Sequence, residues 1–168
     1  MTHIEVREKG QTIAFSFEDI MKYHGPGSPG GVAQAFKVME RAFAELSPDG
    51  PPPRREISIR TSFGGPGARD GFEAVTRAFT GDRYTVDPAL ARSELGRERE
   101  RFVFEVSCGE RTVTLVVRDG IIDPEFIDLV RTEGRTEELK ERLEVLKAEL
   151  AQRTMGLAAT DVYDLDAG

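Results

Sequence analysis

The chain has a single cysteine, Cys108, so neither an intrachain disulfide framework nor a cluster of thiolate metal ligands is open to it. Only two histidines occur, and with His3 at the N-terminus any imidazole chemistry falls to His24. No apolar run approaches the roughly 18 residues of a membrane helix, and no leader-type segment opens the sequence. A cytoplasmic protein with no membrane contact is therefore expected. An excess of positive charge is missing too. The 23 Lys and Arg stand against 30 Asp and Glu, a formal charge of −7 that argues against nucleic acid as a partner. What is present is a 168-residue chain, 39% hydrophobic and 32% charged, with enough apolar material for one domain and a core.

Glycine and proline are concentrated in two places. In the first, Tyr23-His24-Gly25-Pro26-Gly27-Ser28-Pro29-Gly30-Gly31 runs directly into an amphipathic stretch ending at Leu46. Ser28 suits a helix N-cap, with its hydroxyl accepting a backbone N–H one turn on, and Pro29 suits the first helical position. Gly30 and Gly31 stand where ordinary helix formers would be more stable by roughly 1 kcal/mol each. The expectation is that they open close backbone access at the positive end of the helix. In the second place, Phe63-Gly64-Gly65-Pro66-Gly67 follows a strand and opens another helix. Two helix N-termini facing one cleft suit a small ligand bearing phosphate or carboxylate; the alternative is turn geometry alone. Neither loop carries a P-loop ending. The G-x-G-x-x-G spelled by Gly25, Gly27 and Gly30 follows a helix, where a dinucleotide-binding turn follows a strand.

Alternation predicts an N-terminal hairpin from His3–Glu8 and Gln11–Phe15 around Lys9-Gly10. Ser16 with Asp19 reads as a capping signature opening a short helix to about Tyr23. Val32, Phe36, Met39, Phe43 and Leu46 form a helical stripe that should lie against a sheet. A strand is expected over Glu56–Ser62, then a helix with Phe72, Val75 and Phe79 on one face. Thr80-Gly81-Asp82 should stop that helix, with Gly81 supplying the left-handed residue. Arg83 to Arg99 shows no usable periodicity. Arg101–Cys108 and Arg111–Arg118 form the strongest strand pair, and Pro124 opens a helix through Phe126, Leu129 and Val130. Thr136–Gln152 is an amphipathic helix with the seam Leu139, Leu143, Leu146 and Leu150, and with Glu138/Arg142 and Glu149/Arg153 as i,i+4 pairs. Its seam would dock on the domain or on a second subunit, and the acidic tail from Thr160 is expected to fray.

His24 invites a general acid/base or metal-ligand role; the competing reading has its ring capping a carbonyl or packing on Tyr23. Asp70 and Glu73, at i and i+3, are weak candidates to share a metal with it, although carboxylates at that spacing are commonly surface groups. Ser28 lacks the base and orienting group of a nucleophile, and Cys108 has no activating partner. Arg60 and Arg69 flank the second glycine-rich turn and could add a guanidinium to an anion site. The expected cleft is lined by Tyr23, His24, Gly27, Ser28, Gly30 and Gly31, with Gly64, Gly65 and Arg69 opposite.

The run from Phe17 to Gly31, Phe-Glu-Asp-Ile-Met-Lys-Tyr-His-Gly-Pro-Gly-Ser-Pro-Gly-Gly, resembles the opening of the formylmethanofuran dehydrogenase E-subunit family. In that family a short helix leads into a His-Gly-His-x-Cys-Pro-Gly type motif. The likeness extends more loosely over about three-quarters of the chain. It implies an α+β fold with a mixed or antiparallel sheet and helices on one face, similar to the C-terminal domain of glyceraldehyde-phosphate dehydrogenase. Residues 1–132 would form that domain. Residues 133–168 would add a helix and tail belonging to it or to a homodimer interface. It also implies metal binding and accessory roles around molybdenum or tungsten enzymes of one-carbon metabolism. Here Pro26 replaces the family's second histidine and Ser28 its motif cysteine, so of the metal set only His24 carries over. The leading expectation is thus an accessory or small-ligand-binding protein. The alternatives are an enzyme of one-carbon or redox metabolism using His24, and a structural subunit that binds its partner through the C-terminal helix.

Overall fold

The computed structural model describes residues 2–166. Its fold is α+β, with a two-stranded hairpin and a five-stranded sheet. The hairpin strands β1 (Ile4–Glu8) and β2 (Gln11–Phe15) meet at Lys9 and Gly10, both with positive φ. That is the backbone of the tight turn whose twist matches a hairpin, and glycine adopts it without a side-chain penalty. The larger sheet is built from β3 (Ile57–Thr61), β4 (Tyr84–Val86), β5 (Val103–Cys108), β6 (Arg111–Val117) and β7 (Tyr163–Leu165). Their order is β4-β3-β5-β6-β7, with β3–β4 parallel and the other pairs antiparallel.

Five helices accompany the sheets: α1 (Phe17–His24), α2 (Pro29–Leu46), α3 (Pro66–Thr76), α4 (Pro124–Arg131) and α5 (Glu137–Met155). The Ser16–Asp19 capping box forms as expected, each residue's side chain accepting the other's backbone N–H. α2 is the centre of the molecule, with its Val32, Phe36, Met39, Phe43 and Leu46 stripe buried. It is also buried on flanks where Ala33, Ala35 and Ala42 lie, because α3 and α5 cover its sides. The inner face of the sheet supplies Ile57, Ile59, Phe104, Val106 and Leu115 to the same core. The opposite face is polar through Ser58, Arg60, Glu105 and Ser107, with Arg60 bridging Asp87 and Glu105.

Two expectations need correction, the end of α3 and the ion pairs of α5, and one unpatterned segment gains a place. α3 ends at Thr76 rather than at Gly81, and the left-handed residue that closes it is Arg77, φ 57°. Phe79 therefore falls beyond the helix and is half exposed. The unpatterned Arg83–Arg99 segment contains β4, which pairs with β3, and then crosses the outer face of the sheet. Arg92 reaches Asp166, just past β7 on the opposite edge. Beneath this crossing Val103 and Val116 are buried although they lie outside the main core. Alternation could not reveal such a segment, because its order comes from the sheet beneath it. On α5, Arg142 and Arg153 do not pair along their own helix. Arg142 makes two 2.8 Å bonds to Glu125 of α4, and Arg153 binds the Ile121 carbonyl. The seam of α5 is likewise covered within the chain, with Leu143 and Leu146 packed against α4 and Leu150 in the main core.

The tail from Thr160 does not fray. Tyr163 on β7 is fully buried, and its hydroxyl donates to Gln34 Oε1 at 2.7 Å while Gln34 Nε2 donates to Thr154 Oγ1 at 2.9 Å. The last two residues, 167–168, lie outside the described part. Burial pushes the Tyr163 phenol well above its ordinary value, and it raises Tyr84 from 10.0 to about 12. The folded state favours the neutral phenols, so this stabilisation is complete below pH 10 and is lost as pH rises through about 12. Alkaline titration should therefore show tyrosinate absorbance from these two residues appearing together with loss of the folded circular dichroism, not before it.

Candidate functional site

α2 and α3 start side by side. A Cβ on Gly31 would sit 2.9 Å from the Ala68 nitrogen, and one on Gly67 would sit 2.4 Å from the Ser28 carbonyl oxygen. One turn on, a Cβ on Gly71 would touch Ala35 Cβ at 2.8 Å. These contacts advance together along both helices, so the two helices run parallel with their N-termini adjacent. Gly30 in turn abuts Leu150 of α5. The glycines thus serve helix packing, and Gly30 and Gly31 do so while also lining the cavity at the helix starts. Their indirect effect is electrostatic, since two positive helix ends are held against each other.

The first turns of α1, α4 and α5 all carry acidic residues, and each has a side-chain cap. Those of α2 and α3 carry neither. Ser28 occupies the N-cap position of α2, but its hydroxyl makes no capping bond, contrary to expectation. Instead its backbone N–H donates to His24 Nε2 at 3.1 Å.

Beside the two helix starts lies a cavity of about 510 Å³, lined by Ser28, Gly30, Gly31, Gly64 and Gly65 as expected. Its remaining walls were not legible as such. Phe63 and Phe102, stacked at 4.5 Å, join Phe126, Ile127, Val130 and Leu143 in an apolar surface. Five cations complete it: Arg97, Arg101, Arg131, Arg135 and Lys147. Among the described residues no acidic side chain lines it, in a chain with seven more acids than bases.

Three of the cations have carboxylate partners: Arg97 with Asp128 at 2.5 Å, Arg131 with Glu100 at 3.1 Å, and Lys147 with Glu144 at 3.0 Å. Lys147 also donates to the Gly27 carbonyl at 3.1 Å, tying α5 to the first glycine-rich loop. Among the described residues Arg135 bonds only carbonyls at the end of α4, those of Leu129, Val130 and Thr132, so its charge is offset in part by that helix end and by no carboxylate. Arg101 is exposed, and its guanidinium has no hydrogen bond or ion pair among the described residues. These cations come from three separate stretches of sequence, and the clue to the first was the unassigned region leading to Arg101.

The other expected residues lie elsewhere. The His24 side chain is only 7% exposed, and its Nδ1 is 2.8 Å from Asp70 Oδ2. With Nε2 accepting from Ser28, Nδ1–H is the donor to Asp70, and both ring nitrogens are engaged. The ring is a strut joining α1, the start of α2 and α3. Arg69 bonds Asp70 at 3.3 Å and lies over the Phe79 ring, so Asp70 fills the space expected to be open between His24 and Arg69. Tyr23 is exposed and borders a separate depression with Glu73, Arg77 and Thr80. Gly27 contributes its carbonyl to Lys147 but does not line the cavity.

The metal implied by the family resemblance does not fit these residues. Glu73 is turned away from His24, accepting from the Thr80 backbone N–H at 3.0 Å and hydroxyl at 2.7 Å and pairing with Arg77. Among the described residues no three His, Cys, Asp or Glu side chains converge on one point. Cys108 is held at the end of β5, and its thiol is shifted upward, chiefly by burial. No helix is long and apolar enough to cross a membrane among the described residues. No family model matches this chain, and no curated protein sequence matches it.

Proposed function

We propose that this protein binds a small organic anion in the cavity at the paired starts of α2 and α3. The observation that carries this reading is the charge of the lining: five cations and no acid, with Arg101 unpaired and two uncapped helix ends alongside. Each helix end acts as roughly half a positive charge at an uncompensated terminus. Bringing two together beside Arg101 and Arg135 is unfavourable unless an anion occupies the space between them. A cavity of about 510 Å³ has the size of a typical small-molecule site.

The binding role is favoured over a His24-based enzyme, because both His24 nitrogens already have partners inside the fold. It agrees with the accessory role that the formylmethanofuran dehydrogenase resemblance implies, with a bound organic anion in place of a metal. Burial of the α5 seam within the chain gives no support to a partner docked along it.

Thermal unfolding with and without phosphate esters and carboxylates tests the proposal. A ligand at one hundred times its dissociation constant should add about 2.7 kcal/mol. For a domain of this size that raises the midpoint by roughly 5–10 °C. Arg101→Gln should reduce the rise and move the unliganded midpoint slightly upward, because it removes one of the charges that repel in the empty cavity. A flat midpoint across a chemically broad set of anions would remove the reading.

A further inference from the structure

The uncharged wall of the cavity indicates what the anion is attached to. Apart from its cations, the lining has one side chain able to form a hydrogen bond, the Ser28 hydroxyl. Its side chains include no carboxylate, carboxamide or imidazole, so Ser28 Oγ is the one side-chain acceptor. The several O–H groups of a sugar and the N–H edges of a base each need an acceptor when taken out of water. The remaining side chains are apolar: Phe63, Phe102, Phe126, Ile127, Val130 and Leu143. The half-exposed Val130 and the rings of Phe63 and Phe126 are surfaces on which a hydrocarbon gains from leaving water.

The positive charge left over in the lining sets the charge of the head group. Among the described residues Arg101 has no partner, Arg135 is offset only in part by the α4 C-terminal carbonyls it bonds, and the two helix N-termini add about one further unit. That matches a dianion better than a single carboxylate. We infer that the ligand is a phosphate monoester of an apolar alcohol, an alkyl, prenyl or aryl phosphate, and not a sugar phosphate or nucleotide. This inference rests on the anion-binding reading above and narrows it.

Isothermal titration calorimetry of the full chain near pH 7.5, at constant ionic strength, tests it with four probes: hexyl phosphate, inorganic phosphate, glucose 6-phosphate and hexanoate. Hexyl phosphate should bind at least tenfold more tightly than each of the others. Val130→Ser should weaken hexyl phosphate at least threefold and leave inorganic phosphate unchanged, whereas Arg101→Gln should weaken both. Equal affinity for hexyl phosphate, inorganic phosphate and glucose 6-phosphate would overturn the apolar-ester assignment while leaving an anion site in place. Hexanoate binding as tightly as hexyl phosphate would overturn the preference for a dianion. Silence from every probe would remove both readings. Binding to vesicles containing phosphatidic acid, without binding to the soluble ester, would replace the enclosed small-molecule site with a membrane-surface one.

Discussion

Gly67→Ala is expected to destabilise the protein by about 1–3 kcal/mol, the range of overpacking in a well-filled interior. Helix propensity alone predicts the opposite sign, since alanine is favoured over glycine in a helix by up to about 1 kcal/mol. Close approach decides the outcome. The new Cβ would sit 2.4 Å from the Ser28 carbonyl oxygen, 3.0 Å from Ser28 Cβ and 3.1 Å from the Val32 nitrogen. Two of these are backbone atoms, which cannot swing aside as the end of a flexible side chain can. α2 and α3 must separate at their N-termini, so the same change should weaken anion binding. Gly64→Ala is the control, because its Cβ would meet nothing nearer than Val86 Cγ1 at 4.0 Å. Urea unfolding of both variants measures the difference. A Gly67→Ala protein as stable as its parent would mean that the helix starts are not held at this spacing.

His24→Ala is expected to lower stability by about 2–4 kcal/mol and to change anion affinity by less than threefold. Removing the ring strands the Ser28 N–H and deprives Asp70 of its bonded partner, and each orphaned group carries a penalty of about 1–3 kcal/mol. Asp70→Asn should be milder, near 1 kcal/mol, because the amide oxygen can still accept from Nδ1–H. Chemical denaturation and calorimetry on the same samples separate this strut from a ligand-binding histidine. Loss of anion affinity with stability intact would place His24 back in the site.

Local signals carried much of the fold. The Ser16–Asp19 box, Pro29 at a first helical position, and the strand pair around Gly109-Glu110 were readable because each depends on a few adjacent residues. The α2 stripe was readable because burial repeats with the helical period. What was not readable follows one pattern. The order of residues 87–101 comes from an outer sheet face that the segment itself does not encode. Tyr163 is fixed by Gln34, 129 positions away, and Asp70 is fixed by His24, 46 positions away.

The two glycine-rich starts show where sequence and tertiary structure divide the work. Their composition alone determined that two helices begin there without acidic residues in their first turns. Only the tertiary structure decided the function of each residue. It placed the glycines at a helix–helix contact, because two backbones approach that closely only where Cβ atoms are missing. It made His24 a strut, because Asp70 arrives on a different helix. It also drew Arg101, Arg135 and an apolar wall from distant segments to the same opening, since only folding brings such residues within reach of one ligand.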